Sequence, residues 1–186
     1  MIKARPADVA PEPARFGAWT DHGIPPDRSG WNSSIQRFYD YWLSISPPGK
    51  LPGRRNVAPE DLGPLLPRVW MLDVYRDPLR FRYRLAGTLV VHSLGREVTG
   101  QWVDELHPDC PLKAILHDRY CYAAQTGRPT WRHGDTIWER RPDYRWNRQR
   151  HFFTVENCIV PLAGDGAMVD ILFGASVLFD TEGSAD

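Results

Sequence analysis

Cysteine and lysine are scarce in this sequence, and no chemistry gathers around either. Cys110, Cys121 and Cys158 stand far apart with no CxxC pair. That excludes a disulfide framework and a zinc ribbon, and leaves buried thiols in a reducing compartment. The only lysines are Lys3, Lys50 and Lys113; arginine carries the rest of the positive charge, which we read as coding preference. A net charge is missing too. With 23 basic and 23 acidic residues, no whole-chain field attracts nucleic acid or membrane. No apolar run approaches a membrane span. The N-terminus, MIKARPADVAPEPARFG, lacks the apolar core of a signal peptide, so a cytoplasmic protein is expected.

What is present suits one globular domain with extra segments. The chain has 186 residues, of which 42% are apolar, enough for a core that needs no metal or disulfide. Residues 1–31 are rich in proline, alanine and charge, and read as a loosely ordered arm in which Trp19 and Trp31 are points of possible docking. Residues 32–67 hold a helix and a proline-rich connector. Asn32 or Ser33 caps the helix, Ile35, Phe38, Tyr39, Trp42 and Leu43 form its stripe, and Pro47 and Pro48 end it. The connector predicts a short helix opened by Pro59, Glu60 and Asp61.

Residues 68–180 read as the main domain, with 181–186 as a tail. Val69–Val74 and Arg80–Leu85 predict a hairpin about Arg76-Asp77-Pro78. The stretch RFRYRLAGTLVVHSLGREVTG, residues 80–100, alternates strictly and then breaks into a short helix over Thr88–Gly95. A longer helix starts at Pro111, with Leu112, Ile115, Leu116, Tyr120 and Ala123 as its stripe. Three strands follow, over Thr130–Trp138, His151–Val160 and Met168–Phe179, the last two joined at Ala163-Gly164-Asp165-Gly166. Turn-linked strands with one helical crossover predict an α+β fold: an antiparallel sheet of five strands with short helices on one face, plus the N-terminal helix.

This order resembles that of the PAS domain. The span LGREVTGQWVDELHPDC matches the PAS pattern at Gly95, Arg96, Gly100, Glu105, Leu106, His107, Pro108 and Asp109. More closely, LPGRRNVAPEDLGPLLPRVWMLDV followed by RFRYRLAGT is similar to a bacterial family of stand-alone PAS-like proteins with a helical N-terminal extension, although Asn56 stands where that family often has Asp. The resemblance implies a sensory module whose broken helices cover a sheet and can enclose a ligand or face a partner.

No constellation points to catalysis. His107 and Asp109, with Glu105, fit a loop-capping role in the PAS turn better than acid–base work. His133 and Asp135 share a strand face without a third metal ligand. His117 lies to one side of the long helix's stripe, which disfavours haem bound through it. The Asn-Cys-Arg-Phe-Leu-Gln stretch of light-sensing relatives is absent. No haem, flavin or metal signature remains, so any cofactor stays unknown.

The ligand pocket predicted from strand parity has Phe81, Tyr83 and Leu85 on one wall and Ile171, Phe173 and Ala175 on another. Leu116 and Tyr120 lie above them, with Leu89 and Trp102 from the broken helices. Phe38, Tyr39 and Trp42 are expected to form a partner surface that helps build a homodimer. Arg145 and Arg148, in the arginine-rich hairpin 138–150, form a second partner surface. The leading function is a non-catalytic sensory or signalling module that binds a small molecule, a protein partner, or both. An apolar-cavity enzyme or ligand carrier is the alternative. Nucleic-acid binding through the hairpin ranks third.

Overall fold

A computed structural model describes residues 23–106, 113–135 and 152–180. Helix α1, Ser33–Ile45, begins where Asn32 Oδ1 accepts the Ser34 N–H at 2.9 Å, the expected N-cap. The connector folds into short turns and a helix, α2, at Pro59–Leu62. The hairpin of β1, Val69–Tyr75, and β2, Arg80–Ala86, follows. Helix α3, Thr88–Leu94, closes on Gly95 at φ +67°, the left-handed cap glycine allows. Gly87 stands at its N-cap. Then come α4 at Val103–Leu106, α5 at Lys113–Thr126, and strands β3 at Thr130–Asp135, β4 at Phe152–Leu162 and β5 at Ile171–Asp180.

The five strands form one antiparallel sheet in the order β2-β1-β5-β4-β3. The expected α+β architecture is what is seen. The layering is richer than one covered face, because helices lie on both sides. Ile35, Phe38 and Trp42 of α1 pack on Val69, Met71, Val160, Ile171, Phe173 and Ala175. On the other side Tyr120, Ala123 and Ala124 of α5 pack with Val90 of α3 on Trp70, Leu72, Phe81, Ile159 and Leu172. The middle strands are therefore buried on both faces: Val69–Leu72 and Ile171–Ala175 have no exposed parity, as in sheets sandwiched between helices.

Two local features set the faces. Met71 pairs with Leu85 but Leu72 pairs with Tyr83, so Arg84 is a bulge residue without an opposite number. The extra residue turns Leu85 to the α1 side while Phe81 and Tyr83 stay on the α5 side. At Gly174, a Cβ would stand 2.3 Å from the Trp70 ring. Only glycine lets that indole lie flat across β5.

Candidate functional site

The layer between the sheet and α5 has an aromatic half and a polar half. Trp70 occupies the middle, its Nε1 donating to Ser176 Oγ at 3.0 Å and its ring meeting Tyr120 edge-on at 5.9 Å. Tyr120 also meets Phe81 at 5.4 Å. Tyr83 pairs with Leu72 on the same side. Burial, with the Tyr120 phenol beside it, pushes the Tyr83 phenol far up. At the flank, His117 lies 5.9 Å from Phe81 and its Nδ1 is 3.4 Å from Cys121 Sγ.

The polar half lies over β3 and β4. Arg119, only 2% exposed, donates from Nη1 to Asn157 Oδ1 at 2.7 Å and from Nη2 to Thr130 Oγ1 at 2.9 Å. Burial pulls its guanidinium down to about 10, because desolvation penalises the charged form. Arg132, two residues along β3 from Thr130, is buried as well.

The opposite face of β4 carries a buried carboxylate. Glu156, 1% exposed, accepts the Asn32 N–H on both oxygens at 3.0 Å and the Trp131 Nε1–H at 3.0 Å. It lies at the N-terminus of α1, where unpaired N–H groups and the helix dipole favour negative charge. Trp31 stacks on Trp131 with centroids 5.3 Å apart. Phe38 meets Phe173 edge-on at 4.8 Å, and Trp42 Nε1 donates to Pro161 O at 3.0 Å. Cys158, fully buried on this side, has its thiol pushed up by burial.

Residues 31–115 match the family model of the PAS domain. The chain carries a PAS domain. The match begins at Trp31, just before α1, so the helix that docks on the sheet falls inside the matched stretch. No curated protein is similar enough to match. The five-stranded antiparallel sheet with its helices agrees with the PAS assignment, and PAS domains serve in general as sensory and signalling modules.

The PAS-motif residues have structural roles. Gly95 caps α3, and Arg96 Nη2 donates to Leu106 O at 3.0 Å. Gly100, at φ +81°, donates its N–H to Tyr83 O at 2.7 Å, so residues 100–102 line the edge of β2. Glu105 pairs with Arg80 at 2.8 Å. His107, Pro108 and Asp109 lie outside the described residues.

The predicted pocket does not form one lining. Phe81, Tyr83 and Tyr120 come together on the α5 side, while Leu85, Ile171, Phe173 and Ala175 lie under α1. The cause is that the most apolar parity of β5 faces the N-terminal helix. The α5 side receives the other parity, where Gly174 and Ser176 accommodate Trp70. Trp102 lies at the β2 edge, 4.1 Å beneath the Arg80 guanidinium. Leu89 is half-buried on α3, and the Leu116 side chain is outside the described set. The partner surface also changes. Phe38 and Trp42 are buried against the domain's own sheet and Tyr39 is half-buried, because α1 turns its aromatic face inward. Arg145 and Arg148 lie outside the described residues.

His133 is exposed beside Phe179, and no cluster of three metal-ligating side chains occurs among the described residues. None of their helices is long and apolar enough to cross a membrane. Sequence reasoning missed Arg119, Glu156 and Asn157. Arg119 was discoverable: it sits three residues after Leu116 and four before Ala123, within the apolar stripe.

Proposed function

We propose that this PAS domain is a non-catalytic sensory module that takes a small molecule between the sheet and α5 and passes its occupancy to α1 through β4. The observation that carries this is the placement of Asn157 and Glu156. They are adjacent on one strand, one tied to α5 through Arg119 and the other tied to the start of α1. A shift of β4 on one face is thus felt on the other, since packed interiors transmit strain.

The enzyme or carrier alternative calls for a carboxylate and a histidine together in the α5 layer. Among the described residues, Glu156 faces α1 and His117 pairs with the Cys121 thiol at the flank, which gives that reading less support. A specific observation favours a second reading: Trp70 fills the middle of the layer over Gly174, as in a packed module that signals through a protein partner alone.

Native mass spectrometry of freshly purified protein, set against its denatured mass, separates the two. A non-covalent adduct lost on denaturation is expected. A native mass equal to the bare chain, or to a whole multiple of it, in every preparation favours the packed module.

A further inference from the structure

Among the described residues, no carboxylate is paired with the buried Arg119 guanidinium. The surface ion pairs Arg28–Asp40, Arg80–Asp104, Arg80–Glu105 and Arg84–Asp73 do not include Arg119. Glu156, the buried carboxylate nearest in sequence to Asn157, points to the opposite face and is engaged by Asn32 and Trp131. Arg119 instead gives two of its five N–H donors to neutral oxygens, those of Asn157 and Thr130. A cation that only tied α5 to β3 and β4 would be a poor choice, because an apolar side chain of similar volume avoids the desolvation penalty. By accepting from Arg119, moreover, Asn157 and Thr130 keep their own donors, the amide N–H groups and the hydroxyl, to give elsewhere.

We propose that Arg119, Asn157 and Thr130 form a site for the anionic group of a small molecule, a carboxylate in the first instance. This deepens the ligand-binding reading above and rests on it. The planar guanidinium fork matches a planar carboxylate. The flanking amide and hydroxyl add neutral donors suited to a single negative charge. Phosphate shares the acceptor chemistry but brings more oxygens and charge than this donor set satisfies. Burial strengthens the pairing by lowering the local dielectric.

The test is thermal unfolding of the full chain with acetate, benzoate or inorganic phosphate, each against chloride at matched ionic strength. A carboxylate probe at about five times its Kd is expected to raise Tm by roughly 2–4 °C. The shift vanishes in Arg119→Met and shrinks in Arg119→Lys, which keeps the charge and loses the fork. Arg119→Met loses the bonds to Asn157 and Thr130 and is expected to melt at a lower temperature without anion, so each variant's shift is read against its own anion-free Tm. A probe shift of the same size in Arg119→Met overturns the inference. So does no response of the natural chain to any probe, or a response to phosphate alone. If Arg119→Met does not fold, Arg119→Lys decides: a shift equal to that of the natural chain overturns the inference. A neutral adduct in native mass spectra with no carboxylate response overturns the anion site while leaving the ligand-binding reading standing.

Discussion

Glu156 and Asn157 are neighbours on β4 and serve opposite layers. The Glu156 carboxylate accepts the Asn32 N–H on both oxygens at 3.0 Å, whereas Asn157 Oδ1 accepts the Arg119 guanidinium at 2.7 Å. Alternation along a strand sends consecutive side chains to opposite faces. Here it joins the N-terminal helix to the long helix through a single peptide unit.

Replacing Glu156 should loosen α1 before it unfolds the domain. Glu156→Ala leaves the Asn32 and Trp131 N–H groups without their acceptor. The loss is expected to be about 1–3 kcal/mol for each buried donor left unpaired. Urea unfolding measures the total. Hydrogen exchange should show the extra opening concentrated in Ser33–Ile45.

The inward aromatic face of α1 predicts a large stability effect without a change of assembly. Phe38 is fully buried against Phe173, so Phe38→Ala is expected to cost about 3–5 kcal/mol. Light scattering should give the same particle mass for the variant as for the natural chain. A drop from dimer to monomer would show that Phe38 also serves a subunit contact.

Packing of the α5 layer is read at Gly174, not at Ala175. Ala175 faces α1, so enlarging it reports on the docking of that helix. Gly174→Ala places a methyl 2.3 Å from the Trp70 ring. The expected loss is about 1–3 kcal/mol if the indole cannot move. A neutral effect in thermal unfolding would show that Trp70 has room to yield.

How far the sequence revealed this molecule depended on the kind of signal. Asn32 followed by Ile35, Phe38 and Trp42 was enough to place α1, and the hairpin at Ala163–Gly166 was legible from its turn residues. Sidedness was not. Strict alternation in Arg80–Leu85 suggested one apolar face, but the bulge at Arg84 sends Leu85 to the other side. The weaker parity of β5, with Gly174 and Ser176, gave no sign of a buried face because its partner, Trp70, belongs to another strand. Arg119, Glu156 and Asn157 were passed over because a polar or charged side chain inside an apolar stripe or strand declares its role only once its partners are known.

Alkaline pH should destabilise the domain in a way that involves Cys158. Its thiol lies above the ordinary value of 9.0 in the folded state, so between the unfolded and folded values the native state holds a proton that the unfolded chain has lost. The resulting stability is complete below about pH 9 and falls as pH rises beyond it. The urea midpoint should therefore decline above pH 9, and less steeply in Cys158→Ala. Native Cys158 should also resist a thiol reagent that labels the half-buried Cys121.

The central claim is that β4 couples the Arg119 site to α1, and a double-mutant cycle tests it most directly. Arg119→Met and Glu156→Gln alter groups on opposite faces, each engaged by a different layer. Stability is measured by urea unfolding for the natural chain, both single variants and the double variant. The account predicts a coupling energy of about 0.5 kcal/mol or more, the range of residues linked through a shared backbone shift. Effects that add to within about 0.3 kcal/mol, as for independent sites, would contradict it.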